Sequence, residues 1–322
     1  MQPFGGLTDE YERVLTPAVE GPEPPALEEP TGAEGGEVYS QGGVLRLIGR
    51  TFARNRLAVI GVGIVVVLVL FCFVGPLVYR TDQVNTNIIE SNLAPSGGHL
   101  LGTDNNGYDI LGRLMAGGQS SIEIGLAVAC VATIFGVIYG AIAGYFGKIV
   151  DTIMMRLVDI LLAIPIVFLF IFVSVVITPS TWLLIAVLGG LSWLAPARLV
   201  RGETLSLRTR EYVQAVKVMG GKSRRVVFRH IIPNAIGTII VNATFQVADA
   251  ILVLALLQYL GFALPPPTAT WGGMLSQGSN FLSDGYWWQV YPPLVAIVLI
   301  VVAFNFIGDA LRDAFEVRLQ ER

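Results

Sequence analysis

The feature that most constrains this chain is a set of six apolar runs, each close to the length that crosses a lipid bilayer. About 20 helical residues, rising about 1.5 Å each, cover the hydrocarbon core, and helices satisfy their own backbone polar groups there. Only 14% of the residues are charged, against about 25% in an average soluble domain. The runs are Leu57–Tyr79, Ser121–Tyr145, Thr152–Ile177, Trp182–Leu199, Ile236–Leu260 and Val290–Ile307. They predict an all-α, polytopic membrane protein with six transmembrane helices, the fourth short and kinked near Pro196.

Lysine and arginine are distributed unevenly between the connecting segments. They cluster before the first run, between the fourth and fifth runs, and after the sixth, whereas residues 80–120 and 261–289 hold only Arg80 and Arg113. Loops rich in lysine and arginine stay on the cytoplasmic side of a membrane. Both termini and the segment between the fourth and fifth runs are therefore predicted to be cytoplasmic.

The first 43 residues differ from the rest of the chain. Met1 to Glu37 contains nine acidic residues against Arg13 alone, with several prolines interleaved, a composition typical of disorder. The predicted organisation is an acidic, Pro-rich cytoplasmic tail (1–43), a basic segment with the first transmembrane helix (44–80), an extracytoplasmic segment (81–118), a five-helix core containing a cytoplasmic loop at 201–233 (119–310), and a cytoplasmic C-terminus (311–322).

The second apolar run carries a small residue at every fourth position: Ala132, Gly136, Gly140 and Gly144. Such a face lets two helix backbones approach closely in lipid. Close packing within the chain or against a partner subunit is the first interpretation, and a pore-lining stripe is the alternative.

Few ionisable residues lie deep in the runs. Asp249 is about midway along the fifth, and a carboxylate at that depth indicates a functional role. A channel or ion-coupled transporter with Asp249 as its titrating group is therefore one hypothesis. The sequence shows no enzyme signature and no His/Cys/Asp cluster that suggests a metal site.

Gly221-Lys222-Ser223 matches the end of a phosphate-binding loop, but the rest of that pattern is absent. Val216 stands where the first glycine is required, and the preceding residues are patterned as a helix rather than a strand. Nucleotide binding by this chain is therefore not predicted, and any ATP that drives it binds to another polypeptide.

The stretch EYVQAVKVMGGKSRRVVFRHIIPNA, from Glu211 to Ala235, is basic and partly apolar at helical spacing. Its pattern predicts a short helix whose apolar face carries Tyr212, Ala215, Val216 and Met219 and which stops at Gly220. One interpretation is a helix resting on anionic lipid, in a membrane scaffold. Docking of the helix into a groove of a cytoplasmic partner also accounts for the glycine break.

This stretch resembles the cytoplasmic loop of ABC-transporter permease subunits, whose pattern is E-A-A, three residues, Gly, nine residues, then I-x-L-P. The matching residues are Gln214-Ala215-Val216, Gly220 and His230-Ile231-Ile232-Pro233. Gln214 replaces the glutamate and His230 the isoleucine. The resemblance implies that the helix docks in a groove of an ATPase subunit through Glu211, Tyr212, Gln214, Ala215, Met219 and Gly220.

Four further segments resemble the dipeptide, oligopeptide and nickel branch of these permeases, and the RNRLAVIG start at Arg54 is similar to the second permease of the pair. The segments are Leu101–Ser121, Ala143–Pro165, Pro265–Gly278 and Phe304–Leu319. One departure lies in the fifth run, where Leu254 stands at a position that is often glutamate in this branch.

The resemblance implies the type I ABC importer permease fold in the plasma (inner) membrane of a prokaryote. The implied partners are a second homologous permease, one or two ATP-binding subunits that hold ATP and Mg, an extracytoplasmic solute-binding protein, a peptide substrate and membrane lipid. No cofactor of its own and no nucleic acid is expected. Nickel is the alternative cargo. Asp249 and Gln246 are the candidate residues of the translocation path.

Overall fold

The computed structural model describes residues 49–177, 179–262 and 264–320. The predicted acidic tail lies outside these residues. The principal helices are α1 (Arg56–Phe73), α2 (Ile110–Phe146), α3 (Lys148–Leu162), α4 (Ile166–Val176), α5 (Thr181–Ser192), α6 (Leu194–Leu207), α7 (Glu211–Val218), α8 (Ile236–Tyr259), α9 (Trp271–Ser279) and α10 (Tyr291–Gln320). Shorter helical turns lie at Gly75–Val78, Ile88–Glu90, Ser223–Val226, Val227–Ile231, Ile232–Asn234, Leu282–Asp284 and Trp287–Gln289. Apart from a single bridge between Thr103 and Asp109, this part of the chain is helical or irregular, which confirms the all-α prediction.

The described residues contain five helical segments that are long and apolar enough to cross a membrane. They are Arg56–Val78, Ile110–Phe146, Thr181–Leu207, Ile236–Tyr259 and Trp287–Glu316. A sixth candidate is the pair formed by α3 and Val167–Val173, which is bent by 76° at the break that contains Pro165. The predicted third run, Thr152–Ile177, is therefore not one straight helix: it is a bent pair with the geometry of a broken span or a re-entrant loop.

The second span begins at Ile110, well before the predicted Ser121. Asp109 caps the helix, because its Oδ1 accepts a hydrogen bond from the Gly112 N–H at 2.8 Å. Hydropathy missed these first turns because they contain Arg113 and several small or polar residues. Arg113 is nevertheless buried, and its guanidinium donates to the Pro267 carbonyl at 2.7 Å.

The fourth span is interrupted at Trp193, between α5 and α6. The cause is Pro196, which has no N–H to donate to the carbonyl of Ser192, four residues earlier. The predicted irregularity near Pro196 is thus present, one turn before the proline itself.

Helix α2 is the central element of the core and packs on α1, α5, α6 and α8. Its small-residue face is buried against α6: a Cβ at Gly136 would lie 2.6 Å from Pro196 Cβ, and one at Gly144 would lie 2.7 Å from Thr204 Cβ. Close packing inside the chain is therefore confirmed for this face, and the pore-lining alternative is wrong.

Candidate functional site

The short helix α7 is held to the core by its inner face. Val213 is completely buried and packs in a cluster with Val226 and Ile231, with Val216 partly buried beside them. Val216 lies at the inner edge of the predicted apolar face and is partly buried, whereas Tyr212, Ala215 and Met219 of that face are exposed. An eight-residue helix with apolar residues on two sides does not reveal from its sequence which side faces inward.

The outer face and the C-terminal end of α7 are exposed. Glu211, Tyr212, Gln214 and Ala215 all lie on this surface. Val218 is 88% exposed and Met219 is 77% exposed. An exposed apolar patch that is rimmed by polar residues is typical of an interaction site. Polar and charged side chains surround Val218 and Met219 here.

A glycine turn ends the helix. Gly220 has φ +79°, a conformation that residues with a Cβ rarely adopt. Its N–H donates to the Lys217 carbonyl at 3.0 Å, and the next N–H, of Gly221, donates to the Val216 carbonyl at 2.9 Å. This turn follows a helix, unlike the strand-to-helix turn of a phosphate-binding loop, and it leads into the short helical turns before α8.

Side chains also tie α7 to the ends of α2 and α6. Gln214 Nε2 donates to the Arg208 carbonyl at 2.8 Å, and the Lys217 ammonium lies 5.0 Å from the ring centre of Tyr145. Arg208 in turn donates to the Gly144 carbonyl at 3.0 Å. A glutamate at position 214 has no N–H with which to make the first of these bonds. Gln214 therefore links α7 to the end of α6 through a hydrogen bond at the surface.

Two ion pairs connect α3 with α6 near the same end of the molecule. Arg201 pairs with Asp151 through two hydrogen bonds, one of them 2.7 Å between Nη2 and Oδ2. Arg198 pairs with Asp159 at 2.6 Å, but both side chains are half exposed, so this second pair contributes little to stability. Beside them an open groove runs between the end of α6 and the start of α7, lined by Glu203, Leu207, Arg210 and Asn234 among others.

The two candidate residues of the translocation path lie in different environments. Gln246 is buried within the chain at 8% exposure, whereas Asp249 is exposed on the surface of α8. The structure therefore does not bring them together at one surface. Asp249 shares its exposed stripe with Leu252, Leu256 and Tyr259.

Residues 79–113 contain a polar network that the sequence did not reveal. Asp109 Oδ2 accepts from the Tyr79 hydroxyl and lies within 2.9 Å of both that group and His99 Nδ1. Asp104 is buried beside Arg113, and its Oδ1 accepts the N–H groups of Asn106 and Tyr108 at 2.8 and 2.9 Å. Burial raises the pKa of the Asp104 carboxyl above its ordinary value. The only sequence signal was the resemblance of Leu101–Ser121 to a family segment, which carries no information on these contacts.

Two tryptophans connect residues 101–115 with residues 261–289. Trp288 Nε1 donates to the Thr103 carbonyl at 3.2 Å, and Trp271 Nε1 donates to the Leu114 carbonyl at 2.9 Å. Among the described residues, no group of three or more His, Cys, Asp and Glu side chains is arranged to hold a metal ion.

Comparison with known proteins places this arrangement in a family. Residues 136–321 match the binding-protein-dependent transport system inner membrane component, and residues 43–95 match the N-terminal transmembrane domain of oligopeptide transport permease C. The chain belongs to this family of ABC-transporter permeases. Its type I importer permease fold and its place as the second permease of the pair follow from the two matches.

Curated relatives resemble the permease over most of its length. The oligopeptide transport system permease protein OppC of Bacillus subtilis is 39% identical over 84% of this chain and 88% of the relative. The dipeptide transport system permease protein DppC of the same organism is 35% identical over 84% and 85%. OppC of Haemophilus influenzae is 36% identical over 83% and 86%.

Proposed function

We propose that this permease forms one half of the translocation path of an ATP-driven importer for di- or oligopeptides. Its relatives are named as oligopeptide and dipeptide transport permeases. The proposed assembly contains a second homologous permease, one or two ATPase subunits that bind ATP and Mg, and an extracytoplasmic solute-binding protein that delivers the peptide. In this proposal, ATP hydrolysis takes place in the ATPase subunits and the permease carries the peptide across the membrane.

The observation that carries the coupling role is the contrast between the two sides of α7. Val213 is fully buried, whereas Val218 and Met219 extend from the helix end at 88% and 77% exposure. A rigid anchor with a protruding apolar end suits helix-in-groove recognition, in which the partner's groove covers the apolar residues. The ATPase then moves α7, and the buried anchor transmits that motion to the spans.

The orientation proposed for the chain follows from charge. Arg208, Arg210, Lys217, Lys222 and the arginines after them surround α7, whereas the opposite loops carry little positive charge. By the positive-inside rule, this distribution supports a cytoplasmic location for α7 and both termini in a prokaryotic cell, with the Asp104–Asp109 network outside. The alternative, in which the basic loop only binds anionic lipid, does not explain why α7 is anchored on one side and exposes apolar side chains at its end.

The cargo is tested by uptake into membrane vesicles that contain the complete assembly and its binding protein. We expect ATP-dependent accumulation of a labelled peptide and no accumulation of ⁶³Ni²⁺. Nickel uptake without peptide uptake would establish the alternative cargo. Uptake that follows an ion gradient without ATP would instead support the ion-coupled hypothesis centred on Asp249.

A further inference from the structure

Asp249 is the unusual residue of α8. It is thirteen residues from Ile236 and ten from Tyr259, so it lies about 20 Å and about 15 Å from the two helix ends. Its carboxylate is exposed and forms no hydrogen bond or ion pair with the residues that the structure describes. A carboxylate at this depth is strongly disfavoured against lipid and normally faces a protein interior or a water-filled cavity. The face that carries Asp249 is therefore not a lipid-facing surface in the assembled protein.

A cavity of about 400 Å³ lies on the same side of α8. It is lined by Thr238, Asn242 and Phe245 of α8, together with Leu199 of α6 and Arg312, Phe315 and Glu316 of α10. At 3.6 residues per turn, Thr238, Asn242 and Leu256 point within about 20° of the direction of Asp249. The helix face thus runs continuously from this cavity to the carboxylate near the middle of the span.

Asp249 lies outside the lining of the cavity, about 10 Å along α8 from Asn242, so its charge is separate from the charges within the cavity. Arg312 Nε and Glu316 Oε1 are 3.0 Å apart, so these two charges compensate each other. Asn242 and Thr238 line the same cavity and offer neutral hydrogen-bonding groups on the helix face that carries Asp249. Because Asp249 has no such counter-charge within the described residues, a cation that enters this face meets an uncompensated carboxylate.

We propose that Asp249 binds the α-ammonium group of the peptide as it passes through the membrane, an inference that rests on the peptide importer function proposed above. The α-ammonium is a cationic group that unmodified peptides share whatever their side chains. A carboxylate and an ammonium form a charge-assisted hydrogen bond, which is among the stronger polar contacts in proteins. Recognition of that group suits cargo of varied sequence.

The test measures peptide binding to the purified assembly without the binding protein and without ATP, so that delivery does not contribute. The probes are radiolabelled trialanine and its desamino analogue, which differ only in the α-amino group. We expect the wild-type assembly to hold trialanine roughly tenfold more tightly, the difference typical of one hydrogen bond to a charged group. Asp249→Asn should remove the preference for trialanine, and Asp249→Glu, which keeps a carboxylate, should retain part of it.

Asp313→Asn is the matched control, because it removes an exposed carboxylate from α10 outside the cavity. It should keep the wild-type preference. Equal binding of the two probes by the wild type, no binding of either, or an unchanged preference in Asp249→Asn would overturn the proposal. Loss of the second permease from Asp249→Asn on gel filtration would also overturn it, since Asp249 would then be an assembly contact. Peptide uptake by the intact importer tests the proposed function separately: uptake with no amine preference in binding removes only the role of Asp249.

Discussion

Two valines of α7 provide the sharpest test of how the loop couples to a partner. Val213 and Val218 are five residues apart in one short helix, yet the first is 0% exposed and the second is 88% exposed. The same substitution, valine to alanine, therefore tests the anchor in one variant and the protruding end in the other.

Val213→Ala removes the equivalent of two buried methylene groups, each worth about 0.8 kcal/mol, and leaves a small cavity beside Val226 and Ile231. We expect the loop to lose about 2 kcal/mol against local opening, which is roughly a 30-fold increase in the hydrogen-exchange rate of its protected amides. Val218→Ala loses about 0.2 kcal/mol by the same reasoning, because little of its side chain is buried in the isolated chain.

Val218→Ala should have the larger effect when the measured quantity is association with the ATPase. Burial of Val218 in a partner's groove makes its two methyl groups worth about 1.5 kcal/mol, so Val218→Ala should weaken ATPase association roughly tenfold. Exchange is measured by mass spectrometry on the chain in detergent micelles, and association by titration of the ATPase onto immobilised permease. Unchanged ATPase association in Val218→Ala, together with unchanged uptake, would refute the docking of this helix end.

Three further predictions concern other parts of the chain. Gly220→Ala should destabilise the loop by about 1 kcal/mol because φ is +79° there, and Gly220→Asn should cost less since asparagine tolerates that conformation; exchange of the loop amides measures both. Burial raises the pKa of Asp104 above its ordinary 3.8, so its contribution to stability is fully present below that pH and is lost as the pH rises through the folded value. Asp104→Asn should abolish this component of the pH dependence of unfolding, and an unchanged slope would contradict it. Gly136→Val should prevent close packing of α2 on α6 and deplete folded protein on fluorescence-detected gel filtration, whereas Gly190→Ala, at a site with open space around it, should be tolerated.

Much of the fold was predictable because a helix that crosses lipid needs a run of about 20 apolar residues. Apolar runs report transmembrane helices directly, and the fifth run matched α8 almost to the residue. The start of α2 was not predicted, because Arg113 interrupts the apolar run there. Arg113 is buried since it donates to the carbonyl of Pro267, far along the chain. Hydropathy averages cannot detect a charge that is satisfied by such a distant partner.

The candidate sites show the same division. The existence of α7 and its glycine stop followed from spacing, but its inward face did not, because Val213 and Val216 are no more apolar than Val218. Likewise, Asp249 and Gln246 are close in sequence, and only the packing of α8 shows that one is exposed and the other buried. Periodicity locates a helix, while its neighbours decide which of two apolar sides is covered.

As an ABC-transporter permease, this chain should work with separate ATPase subunits. Purification of the chain from its native membranes in mild detergent, with mass spectrometry of the proteins that accompany it, tests that claim most directly. A homologous permease and one or two ATP-binding subunits should accompany the chain, held in part by the exposed end of α7. A chain recovered alone, or only with copies of itself, under conditions that preserve other membrane complexes would contradict it.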